Sequence, residues 1–295
     1  MFKPLLQPYA APKDGTPQPL PISKSSKFVA IRDTLTLSTW LLLGGLLQGL
    51  ALTALGPYTL VPTVLVLLYR TVDHLLMIYK ITPNRYENGV INQKYTAQHP
   101  NASGNFTSLA SESIVVFHLG ARSNHPLGIF APGMKKLADR AESMTKEMTA
   151  DPVKYGLLGV SSYIKQDNPA GNEVMSIYYL RDYEALHAYA HGPLHLDTMR
   201  WWGEIAKDHT HIGIYHETYI VPKGGWENIY ANCPPTGMGA TFFPVSGEGE
   251  KGDGLVSGIV DARIPGLRSA AKRFGMKSKV LEEREKEAAE LYHKY

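Results

Sequence analysis

From Leu35 to Leu55 the chain reads LTLSTWLLLGGLLQGLALTAL, without one charged residue. Coiled into a helix, such a run is long enough to cross the roughly 30 Å hydrocarbon core of a bilayer. A helix packed in a soluble core normally keeps one polar face, so a run that is apolar all round favours lipid. A second apolar segment, YTLVPTVLVLLYRTVDHLLMIYK, follows Gly56 and Pro57 and is interrupted by Arg70 and Asp73. These two lie three apart and can pair on a helix. In lipid such residues turn to a partner or to water. The second segment therefore completes a helical hairpin or lays its second half along the membrane surface.

Lys24, Lys27 and Arg32 precede the first segment, and Lys80, Arg85 and Lys94 follow the second. With two spans, the positive-inside rule places both ends on the cytoplasmic side. With one span the domain lies on the other side, where Asn101-Ala-Ser and Asn105-Phe-Thr are glycosylation patterns. The Gly45–Gly49 spacing is open to a close helix approach, and equally common without one.

The apolar block divides the rest. Residues 1–34 are proline-rich and read as a flexible tail without a cleavable signal. Residues 35–80 form the anchor, of one or two helices, and 81–111 a linker whose second half is rich in Ser, Asn, Thr and Gly. A globular domain spans 112–235. Residues 236–295 read as a covering loop and, from Lys277, a solvated helix. The net charge of +3 at pH 7 gives no sign of a nucleic-acid partner. The single cysteine, Cys233, excludes an internal disulfide and a multi-thiolate zinc site.

Inside the domain the periodicity alternates. Ser113–Leu119 reads as a strand and Phe130–Ala150 as a helix, with Met134, Leu137, Ala141, Met144 and Met148 on one face. Asp151-Pro152 ends that helix. Leu157–Ile164 and Val174–Leu180 read as a hairpin around a turn at 166–172. A long helical stretch and a last strand, His211–Val221, complete a β-α-β-β-α-β order, the ferredoxin-like α+β unit. Gly192-Pro193 must split the long helix into Asp182–Ala190 and Pro193–Ala206, because proline lacks the N–H and clashes with the turn before it.

Six of the eleven histidines, His187, His191, His195, His209, His211 and His216, fall within 173–222. His187, His191 and His195 are spaced like a metal stripe, but the proline break spoils that geometry, and there is no HExxH or Cys/His zinc pattern. The break leaves His195 at a helix start, where the positive end of the helix favours the neutral ring that ligates a metal or accepts a proton. A haem iron needs only one axial His, and His195 is the residue named for it.

On the last strand His211, Gly213, Tyr215, Glu217 and Tyr219 share one face, and Ile212, Ile214, His216 and Ile220 the other. The isoleucine face is expected under the helices, and the Tyr/Glu face toward a cavity closed by a second sheet. Enclosed there, the Glu217 carboxyl would have a raised pKa and could act as general base or acid. The bland reading is a structural Glu paired with Arg122 or another cation. His118 alternates with Val116, Gly120 and Arg122 and lines the same cavity or is merely half-buried. Arg122 and Asn124 are candidates to bind an anionic or carbonyl substrate. Of the adjacent Trp201 and Trp202, one is expected in the core and the other toward a partner or cavity.

VVFHLGARSNHPLG with the helix after it, DPVKYGLLGV, PLH at 193–195 and HIGIYHETYIVPKGGWENIYANCPP together carry a resemblance. Residues 113–235 resemble the antibiotic-biosynthesis-monooxygenase type of dimeric α+β barrel, and more closely its fungal branch that includes the fumagillin-pathway monooxygenase. The resemblance implies a homodimer and oxidation of a lipophilic terpenoid or polyketide intermediate in secondary metabolism. It also implies a pocket between sheet and helices, with Glu217, His195 and His118 as candidate catalytic groups. Arg122, Asn124, Tyr215, Tyr219 and Trp201 are the candidate substrate contacts. The expected location is a membrane, that of the endoplasmic reticulum, with the barrel on its cytoplasmic side. Wider relatives of the barrel bind haem, so haem at His195 in a dehydratase or isomerase is the alternative. A non-catalytic carrier of a pathway intermediate is another. No Gly-rich fingerprint opens a helix, which speaks against a flavin or nicotinamide held by this chain.

Overall fold

The computed structural model describes residues 1–12, 14–21, 31–32, 34–165, 173–245, 254–275 and 283. In chain order it begins with a short strand β1 (Tyr9–Ala10) and two apolar helices, α1 (Leu37–Leu55) and α2 (Leu60–Ile78). There follow β2 (Ile91–Ala97), β3 (Ile114–Ser123), α3 (Met134–Ala150), β4 (Leu157–Lys165) and β5 (Glu173–Leu180). Then come α4 (Tyr183–Ala190), α5 (Pro193–Ile205), β6 (Ile212–Val221) and β7 (Tyr230–Cys233). Three short strands, β8 (Phe242–Val245), β9 (Gly254–Ser257) and β10 (Ile259–Asp261), precede one further turn of helix, α6 (Ala270–Arg273).

The β-α-β-β-α-β order holds. Its four strands pair antiparallel in the order β4-β5-β3-β6, the ferredoxin-like arrangement. The second helix is split where expected. The Asp182 carboxylate accepts the Ala185 N–H at 2.7 Å to cap α4, and α5 starts afresh at Pro193. The first strand runs on to Ser123, beyond the expected Leu119. The turn expected at 166–172 lies outside the described residues.

The helices cover one face of the sheet. Phe117 and Leu119 of β3 pack into a cluster with Met144, Met148, Tyr178 and Tyr189, while Ala121 meets Met134, Leu137, Trp201 and Ile212. Alternation along β3 then turns Val116, His118, Gly120 and Arg122 to the opposite face.

That opposite face is half covered by the chain itself. Ile114, Leu158, Val116 and Tyr179 pack against Ala97, Trp226, Met238 and Phe243. These come from β2, from the segment after β6 and from β8. Two three-stranded sheets, β10-β2-β7 and β1-β9-β8, build this second layer.

The layer corrects three expectations. Residues 81–111 are not a plain linker, because β2 pairs on both sides and buries Tyr95, Thr96 and Ala97. Within the region expected as a covering loop, Phe242–Val245, Gly254–Ser257 and Ile259–Asp261 are strands. The terminal stretch from Lys277 lies, but for Glu283, outside the described residues. The proline-rich start is also not free. Tyr9 and Ala10 pair with Leu255 and Gly254, Pro4 bridges to Val260, and Leu20 is buried in the core under Met148 and Leu180. Proline-rich sequence lacks the donors for a central strand, but it lies well along a sheet edge.

α1 and α2 stand apart from these layers as a hairpin. Thr36 caps α1 by accepting the Thr39 N–H, and Gly56, at φ 82°, releases the chain into the Pro57–Thr59 turn. Gly44, Gly45 and Gly49 have open space where a side chain would start, so they mark no close helix approach within this chain.

Candidate functional site

The uncovered half of the sheet face carries the polar residues. In the ladder His118 lies opposite Glu217, Gly120 opposite Tyr215, and Val116 opposite Tyr219. The His118 Nδ1 is 3.6 Å from Glu217 Oε2, and the Tyr219 hydroxyl donates to that same oxygen at 2.7 Å. The Tyr219 ring stands edge-on to His118, with centroids 5.4 Å apart. Accepting the bond from its phenol, Glu217 holds the Tyr219 proton more firmly, so this hydroxyl ionises above its usual range.

A second cluster adjoins the first. The Tyr215 hydroxyl donates to Glu173 Oε1 at 2.8 Å, and the other carboxylate oxygen takes Arg122 Nη1 at 3.3 Å and Lys165 Nζ at 3.8 Å. Arg122 Nε in turn donates to Asn124 Oδ1 at 3.0 Å. Tyr215 reaches Glu173 by lying flat across β3 over Gly120, where any side chain would overlap its ring. Partial burial and the neighbouring Glu173 both raise the Tyr215 pKa, so the phenol stays a donor across the physiological range.

The sequence reading named Glu217, His118, Tyr215, Tyr219, Arg122 and Asn124, and the fold brings all six to one face. Glu173 escaped it, although it is almost fully buried and joins Tyr215 to Arg122. The available signal was strand parity. Glu173 faces Arg122 across β3 and β5 once the hairpin register is set.

Two named residues lie elsewhere. Trp201, 5% exposed, fills the core between α3 and β6, with the Arg140 guanidinium 5.0 Å from its ring. It packs on the helix side and does not share the Glu217 face. His195 is also on the helix side, its ring 6.3 Å from Tyr189, so it does not face Glu217 across one pocket. The alternation that turns Glu217 away from the helices separates the two. Nor is Glu217 paired with Arg122, which binds Glu173 instead. In the single chain its side chain is 55% exposed, so enclosure on all sides is not met.

An axial haem histidine normally donates its second ring nitrogen to an acceptor that fixes the ring. The Nδ1 of His195 is buried and has no acceptor, so the residues do not fit a pre-oriented haem ligand. Among the described residues no group of three His, Cys, Asp or Glu side chains is placed to hold a metal.

A family model described as Monooxygenase af470-like matches residues 114–238. Monooxygenase af470 of Aspergillus fumigatus is 35% identical over 277 residues, covering 93% of this chain and 98% of its own. Among solved structures, the cofactor-independent oxygenase SnoaB of Streptomyces nogalater covers 36% of this chain and 90% of its own, at 14% identity and a TM-score of 0.24. Rv0793 of Mycobacterium tuberculosis covers 36% of this chain and 92% of its own, at 16% identity and a TM-score of 0.27.

Proposed function

From the premise that the chain belongs to the Monooxygenase af470-like family, and so is a monooxygenase, we propose that it oxidises a lipophilic intermediate on the open half of its sheet face. The observation that carries this reading is the grouping of Glu217, His118 and Tyr219 on one wall, with Tyr215, Arg122 and Glu173 beside it.

A carboxylate and an imidazole on adjacent strands form a proton-accepting pair. In the proposed reaction, Glu217 or His118 takes a proton from a methylene group that a carbonyl or aromatic ring acidifies. The resulting carbanion gives its electrons to O₂. One oxygen atom stays on the carbon as a carbonyl, and the other leaves as water with the two methylene hydrogens. The substrate itself is the reductant. Tyr215, Tyr219 and the guanidinium of Arg122 orient the substrate's oxygen atoms by hydrogen bonds.

The open face needs a cover to exclude water. β6 is an edge strand of its sheet and exposes Tyr215 and Tyr219 on the open face, and Ile214 and Ile220 on the other. We place a second copy of the chain over it, making the working enzyme a homodimer. In this reading the apolar hairpin anchors the enzyme to a membrane, where a terpenoid or polyketide intermediate would partition, and the flanking Lys and Arg residues support a domain on the cytoplasmic side.

The test is oxidation of lipophilic extract by membranes carrying the full-length chain under ¹⁸O₂. A product bearing one heavy oxygen supports the proposal. A product labelled only from H₂¹⁸O would overturn it.

A further inference from the structure

The two apolar helices are almost wholly exposed. No residue of α1 is buried, and Met77 is the only buried residue of α2. We infer that this hairpin enters a bilayer from one face only, with its tip ending inside the far leaflet and both its ends staying on the domain side. The inference rests on the membrane reading above and fixes its geometry.

Both ends of the hairpin are tied down. Ahead of the hairpin, Phe2 N–H donates to Phe106 O at 2.7 Å, Leu5 N–H to Ile259 O at 3.1 Å, and Leu20 N–H to Thr149 O at 2.9 Å. Behind it, β2 enters the sheet between β10 and β7. Both flanks are thus fastened to the same globular body, and the chain cannot leave that body on one side of a membrane and resume it on the other. A single span is excluded.

The depth that the hairpin can reach is also limited. From Pro57 at the tip to Arg70 is about 20 Å at 1.5 Å per residue, short of the roughly 30 Å of a bilayer core. Arg70 and Asp73 sit on the domain side of that length. Asp73 pairs with Arg85, and His74 Nε2 lies 3.0 Å from the Tyr86 hydroxyl. Thr63 donates to Gln48 Oε1 at 3.1 Å, and Gln48 donates to Thr59 O at 3.2 Å, which sets the two helices antiparallel. Stepping down α1 as α2 ascends brings Trp40 level with the Arg70–Asp73 turn. Its indole N–H donates to Arg32 O at 2.8 Å.

Trp40, Tyr69, Arg70, Tyr79, Arg85 and Tyr86 therefore form a belt of the residue types that settle at a headgroup layer. The tip, Gly56-Pro57-Tyr58-Thr59, carries no charge to hold it in a second headgroup layer. The polar atoms between belt and tip bond one another through Gln48, Thr59 and Thr63, as lipid requires.

The test uses the full-length protein with Cys233→Ser and a fluorophore on Tyr58→Cys, added to sealed phosphatidylcholine–phosphatidylserine vesicles. A second protein carries the fluorophore on Lys3→Cys. Flotation reports binding. Nitroxides deep in the acyl chains report burial, and iodide outside or sealed inside reports each aqueous face. The expected result is flotation, quenching of the tip label by the deep nitroxide and by iodide on neither side, and quenching of the Lys3→Cys label by outer iodide only. Quenching of a floated tip label by inner iodide would mean full crossing and overturn one-sided entry while leaving membrane binding intact. Its quenching by outer iodide would mean a hairpin lying outside the bilayer, against lipid headgroups or another copy, and would also overturn it. Absence of flotation would overturn the membrane reading itself.

Discussion

Gly120 decides whether Tyr215 can cross β3 to reach Glu173. A methyl group there would overlap the outer end of the ring, and the exposed Tyr215 side chain would have to move aside. Gly120→Ala should therefore swing Tyr215 off Glu173. The expected cost is that of the lost hydrogen bond to a charged acceptor, about 1–3 kcal/mol read from urea unfolding, together with reduced turnover. Unchanged stability and turnover would show that the Tyr215–Glu173 bond is incidental. At this scale the sequence was informative wherever strand alternation acts. Parity alone put His118, Arg122, Tyr215, Glu217 and Tyr219 on one face. It did not place His195, because which side of a sheet a helix covers is decided by packing between elements. It did not enclose Glu217, because the cover comes from outside the strand.

Among the elements, the ferredoxin-like unit was legible and its surroundings were not. Apolar spacing in α3, the proline break before α5 and the alternation in β6 each follow from local chemistry. β1, β8, β9 and β10 are short, and the strand character of β2 comes from partners distant in sequence. β2 pairs with residues 230–233 and 259–261, contacts that no local pattern announces. The N-terminal strap is the sharpest case, since its prolines read as disorder while its backbone is fastened along β9 and β10. Deleting residues 1–12 should expose that edge together with Phe242, which Tyr9 meets edge-on with centroids 5.4 Å apart. The expected outcome is a lower Tm and faster proteolysis in the 254–261 region, checked by thermal unfolding and limited digestion. An unchanged Tm would mean that the strap contributes nothing to holding the body.

For the whole molecule, the interior is rich in phenols. Burial raises the pKa of Tyr95, Tyr178, Tyr179, Tyr189 and Tyr230 above the ordinary value of 10. A raised pKa means that the fold favours the protonated form. Their contribution to stability is therefore complete below about pH 10 and is lost as the pH climbs through the folded values. His99 has the opposite sign. Burial lowers its pKa, so the fold favours the neutral ring, and its contribution, present above about pH 6.5, is lost as the pH falls through the lowered value. A Tm profile should accordingly be flat between these limits and fall on both sides. His99→Gln should soften the acid fall alone.

The second layer, which shelters Tyr95, Tyr179 and Tyr230, covers half the sheet face and leaves the half bearing Glu217 open. Oxidation is proposed to take place there, with Glu217 accepting the substrate proton. The direct measurement compares ¹⁸O₂ incorporation by the full-length chain with that by Glu217→Gln, both checked for equal folding by circular dichroism. The expected result is a fall in rate of roughly 10²–10⁴-fold for the variant, as for loss of a general base. Equal incorporation by the two proteins would contradict it.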